Sequence, residues 1–135
     1  MSLDVYLVRD VSEFLVAADL LQENGFDAAA QRVRAWAEDP ERLYEANITH
    51  NLGPMAEAAG LYHVLWRPDE AGLRFARDLV PDMEAGLAAL LADPDRFRRY
   101  DAPNGWGVYE HFVPFVRDYL EACKRHPDAG VEVSR

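Results

Sequence analysis

The chain has a single cysteine, Cys123, in 135 residues, and that scarcity sets the first limits. One thiol cannot close a disulfide within the chain or supply a four-cysteine zinc site. In LEACKRH it reads as a small apolar residue at a helix edge, since neither Lys124 nor His126 faces it on a helix to activate it. Basic charge is also short: 14 Lys and Arg against 24 Asp and Glu leave a formal net charge of -10. That balance disfavours attraction to phosphate backbones and anionic lipid. No apolar run approaches the roughly 18 residues of a membrane span, and no basic stretch leads into an apolar segment after Met1. The expectation is a cytoplasmic protein without membrane association. GK[ST], GxSxG and HExxH are all missing, so P-loop, α/β-hydrolase and zincin chemistry have no support.

What the chain does have is a hydrophobic fraction of 50%, enough for one domain of this length to build a core. Residues 1–135 are read as a single domain. LDVYLV at 3–8 is rich in strand formers, and GVEVSR closes the chain with a second strand. Ser12 and Asp27 are placed to cap two helices, separated by Asn24–Gly25 and stopped by Pro40, so 11–40 reads as a helical hairpin. Asn51 is placed to cap LGPMAEAAG, with Gly60 as its terminator. A main helix is expected from Asp78 with Pro81 in its first turn, after a short turn or helix near 69–77. DPDRFRRYDAPNGWG reads as loop, and the last helix starts near Glu110 with Pro114 in its first turn. The fold class is therefore α+β, mainly helical, with a small sheet joining the N- and C-terminal strands.

Two stretches carry the chemistry. In NITHN, residues 47–51, four of five side chains form hydrogen bonds, and His50 can be a proton-transfer group or a metal ligand. Thr49 and Asn51 flank it and are suited to orient a substrate oxygen. In NGWGVYEH, residues 104–111, Gly105 and Gly107 let the backbone turn sharply about Trp106. Trp106 can plug the core or wall a pocket, with Asn47, Asn104 and Tyr109 as further lining candidates. Glu110 and His111 are adjacent, so they diverge on a helix. The candidate catalytic set is Thr49, His50, Asn51, Glu110 and His111, and His50 with His111 is the candidate pair for a divalent metal. Each has a plainer reading: Asn47 and Asn51 hold a turn, and His50 bonds to a carbonyl. His63 lies among apolar neighbours, and His126 suits a helix C-terminus.

The succession SLDVYL, ANITHNLGPMAEAAGLYHVLWRP, YDAPNGWGVYEHFVPFVRDYLEAC and VEVSR resembles an uncharacterised family of small soluble proteins of bacterial and phage genomes. The resemblance covers 3–8 and about 44–135, and the hairpin at 11–40 reads as an insertion. It implies a soluble cytoplasmic protein whose ITHN and NGWG stretches belong together, and it carries no activity with it.

Three classes of function follow. The leading one is a small noncatalytic binding or regulatory protein, with a protein or small molecule as partner and the hairpin as an interaction surface. A homo-oligomer is compatible with it. The second is a small enzyme, such as a metal-assisted hydrolase, using His50 and the 104–111 stretch. The third is a nucleic-acid-binding accessory protein using Arg96, Arg98 and Arg99 with Phe97 and Tyr100; the acidic remainder of the chain opposes it.

Overall fold

LDVYLV alternates in burial because a strand sends successive side chains to opposite faces. In the computed structural model, which describes residues 1–135, β1 spans Ser2–Val8 and buries Leu3, Val5 and Leu7 completely. It is the central strand of an antiparallel sheet. β2, Arg42–Thr49, lies on one side, and β3, Gly130–Ser134, on the other. The termini pair as the sequence predicts, with Val5 opposite Val133. β2 is the strand that the sequence did not mark. It is an edge strand whose one buried residue is Ile48, and its apolar alternation is diluted by Glu45 and Asn47. The sheet's outer face is polar: Asn47 donates to the carboxylate of Asp4 directly opposite it, and the Arg42 guanidinium lies 4.4 Å from the Tyr6 ring centre.

The inner face packs on helices. α1 spans Ser12–Glu23 and α2 spans Asp27–Ala37; both lie in the connection from β1 to β2. After β2 a 3-10 turn at His50–Leu52 leads into α3, Gly53–Ala58, and then α4, Tyr62–Trp66. α5 is Ala76–Ala92, α6 is Pro94–Arg98 and α7 is Tyr109–Arg125. The core joins Leu3, Val5 and Leu7 to Leu79, Met83 and Leu90 of α5 and to Phe112, Val116 and Tyr119 of α7. Gly86 of α5 sits hard against the Leu61 side chain, so a methyl group there would have no room.

Several helix starts differ from expectation. Ser12 and Asp27 are the first helical residues rather than caps, and the Asp10 carboxylate accepts the Ser12 N–H at 3.0 Å. Asn51 lies within the 3-10 turn, which Thr49 caps with its hydroxyl accepting the Asn51 N–H, and α3 starts after Leu52 with no side-chain cap. Asp78 acts from inside α5, reaching back to accept the N–H groups of Phe75 and Arg74 at 3.0 and 3.2 Å. α5 therefore begins at Ala76, and Pro81 falls beyond the first turn. α7 likewise begins at Tyr109, with Pro114 inside it. A proline at the sixth helical position leaves one carbonyl without its helical partner, which the second turn of a long helix absorbs. The expected loop at 93–107 contains α6, capped by the Asp93 carboxylate accepting from Arg96 N–H at 3.3 Å.

Candidate functional site

Gly105 and Gly107 adopt φ of +76° and +113°, values that side chains disfavour, and they fold residues 101–107 back on themselves. The loop is pinned from within. Asn104 Oδ1 accepts the Trp106 N–H at 3.0 Å, Gly107 O accepts the Ala102 N–H at 2.9 Å, and the Asp101 carboxylate accepts the Tyr109 N–H at 2.7 Å. The folded loop stands Trp106 outward, 72% exposed. A tryptophan ordered by its own backbone yet held in solvent is available for contact.

The loop then docks on the other polar stretch. Asn51 Nδ2 donates to the main-chain oxygen of Trp106 at 2.8 Å. Gly107 passes so close that an added Cβ would lie 3.0 Å from Asn51 Cβ and 3.2 Å from Thr49 Cγ2. Between them opens a cleft of about 680 Å³. Asn47, Thr49, Asn51, Asn104, Trp106 and His111 supply its polar and aromatic lining. That volume lies within the usual range for a small-molecule site, about 300–1,000 Å³. None of the chain's 24 carboxylates lines the cleft. Ile48, Leu52 and Phe115 give it an apolar floor, and Met1 and Ser2 enter because β1 runs beside β2 with Ser2 opposite Thr49. Phe115 was within reach of sequence reasoning, being one helical turn beyond His111. Met1 and Ser2 were not, because their approach depends on the unmarked β2.

Three expected site residues are used elsewhere. His50 does not line the cleft: its Nδ1 accepts the indole N–H of buried Trp66 at 2.9 Å. Tyr109 is buried and donates its hydroxyl to the Leu90 carbonyl at 2.8 Å, so it braces α7 against α5 instead of lining a pocket. Glu110 binds Arg98 Nε at 2.9 Å, and that guanidinium holds its carboxyl below the usual range. The candidate metal pair is not supported either. His50 is committed to Trp66, and nowhere do three His, Cys, Asp or Glu side chains gather as a metal-holding set.

The other singled-out groups are structural in setting. Phe97 is buried and Arg98 is held by Asp95 and Glu110, so the expected basic and aromatic patch loses one of its two rings and one cation, while Tyr100 stays exposed. His63 stands edge-on to Tyr62, and His126 follows α7 with its N–H on the Ala122 carbonyl. Cys123 is fully buried, and burial pushes its thiol up to about 12. No helix is long and apolar enough to cross a membrane. No protein-family model, curated protein or solved structure matches the chain.

Proposed function

We propose that the chain is a small noncatalytic binding protein whose cleft takes an uncharged polar molecule with one flat or apolar face, such as a pyranose or a nucleoside. The observation that carries this is the convergence of residues 47–51 and 104–107 on one carboxylate-free cleft with Trp106 at its edge. The pairing suits such a ligand on physical grounds. The Trp106 ring offers a face for stacking, while Asn51 Oδ1 and Asn104 Nδ2, which have no partner within the chain, offer an acceptor and a donor. An anion would find no Lys or Arg there, and a cation no carboxylate. A catalytic use has less support, because His111 is the one proton-transfer side chain among the lining residues and no second group is set to orient it.

Saturation-transfer NMR against a panel of neutral monosaccharides and nucleosides tests the reading. The expected result is transfer to at least one member, lost in Trp106→Ala and reduced in Asn51→Ala. Binding by no neutral member, or binding indifferent to Trp106, would overturn it.

A further inference from the structure

The hairpin stands apart from everything described so far. None of residues 11–40 belongs to the central core, and its own buried residues are only the alanines Ala18, Ala30 and Ala37 where α1 meets α2. Six of the chain's exposed large apolar side chains fall in it: Phe14, Leu15, Val16, Leu20, Phe26 and Trp36. Leu15 and Val16, one and two residues after Phe14, turn away from it on α1, and the others border one stripe. Phe14, Ala17 and Leu21 recur at helical spacing on α1, and Ala29, Val33 and Trp36 do so on α2. Phe14 and Trp36 meet edge to face at 4.9 Å, and shallow grooves run beside them and beside Leu20, Leu21 and Phe26. The opposite side carries the pair of Arg34 with Asp19 at 2.6 Å, beside Leu15 and Val16. The hairpin is a two-helix layer with one bare apolar face.

We infer that this face is covered by the same face of a second copy of the chain, α1 of one copy lying over α2 of the other in a four-helix arrangement. Two observations select that occupant. The first is area. At their exposures of 45–59%, Phe14, Leu20, Phe26 and Trp36 with their smaller neighbours present apolar surface. Its extent is roughly 500 Å², about the apolar share of the ~800 Å² that one partner gives a standard-size interface. The second is charge. α1 carries Glu13, Asp19 and Glu23 and no basic residue, whereas α2 carries Arg32 and Arg34 against Asp27. A two-fold axis along the hairpin sets the acidic helix over the basic one twice. Glu13, beside Phe14 on α1, and Arg32, which lines the groove with Val33 and Trp36, form no ion pair within their own chain, and this arrangement brings each toward the other's copy.

Sedimentation analysis of the full chain from about 1 to 100 µM reads the outcome, because mass action makes self-association concentration-dependent. The expected species has twice the 15.3 kDa chain mass. Phe14→Ser with Trp36→Ser should leave a monomer of unchanged helical circular dichroism, with association weakened at least about tenfold, as for anchors of an interface. Glu13→Arg should also weaken association, and combining it with Arg32→Glu should restore it, which general loss of apolar surface would not do. A wild-type monomer across the range would overturn the inference and leave the face to a different protein. A dimer indifferent to Phe14 and Trp36 would overturn it equally, by placing the contact elsewhere.

Discussion

The side-chain amide of Asn51 donates to the main-chain oxygen of Trp106 at 2.8 Å, joining residues 55 apart in the chain. This bond ties the end of β2 to the loop that precedes α7, and both walls of the cleft depend on it. Replacing Asn51 by Ala is expected to lower stability by about 1 kcal/mol, the usual net worth of such a bond. Denaturant unfolding measures that loss, and faster amide exchange confined to 102–108 would show that the loop has been released.

Gly107 tests the same contact by adding an atom. Its φ of +113° and the 3.0 Å approach to Asn51 both oppose a side chain. Gly107→Ala should cost about 1–3 kcal/mol through backbone strain and should also push the loop off Thr49. Gly105→Ala, where φ is also positive but space is open, should cost less. Equal losses at the two sites would show that backbone strain alone is at work.

His50 is expected to matter for stability and not for the cleft. Its Nδ1 is the acceptor for the Trp66 indole N–H, and Trp66 is only 3% exposed. His50→Leu would leave that N–H buried without a partner, at about 1–3 kcal/mol. Trp66→Phe removes the donor as well, so the double variant should lose less than the sum of the two single ones. A thermal-unfolding cycle on the four proteins checks this.

At the alkaline end, stability should fall as pH rises. Burial pushes the Cys123 thiol from 9.0 up to about 12 and raises the Tyr119 phenol well above 10.0. Above pH 9 the unfolded chain gives up the Cys123 proton while the folded chain keeps it. The unfolded state then binds fewer protons, and stability drops with pH. Below pH 9 this contribution is fully present. Denaturant curves between pH 8 and 11 should show the decline, and Cys123→Ala should flatten part of it. Native Cys123 should likewise resist thiol reagents at pH 8 until the chain unfolds.

Much of the scaffold was legible in the sequence. β1 is rich in strand formers, and the long helices α5 and α7 carry their own apolar period; both are local properties. The two polar stretches stood out because asparagine, glycine and histidine cluster in them. The cap positions read less well. Asp78 reaches back to the α5 entrance from inside the helix, so the start shifted by several residues. Roles were harder still: His50 and Asn51 are neighbours in the chain, yet one turns inward to Trp66 and the other faces the cleft.

Composition and periodicity by themselves determined the α+β class, the pairing of the terminal strands and the acidic character of the chain, because burial leaves its mark residue by residue. Only the tertiary structure decided that β2 completes the sheet, that Asn51 meets Trp106, and that one face of the hairpin is left bare. Those facts depend on what each segment packs against. A sequence pattern records that a face wants cover, and the three-dimensional arrangement decides whether the chain itself provides it.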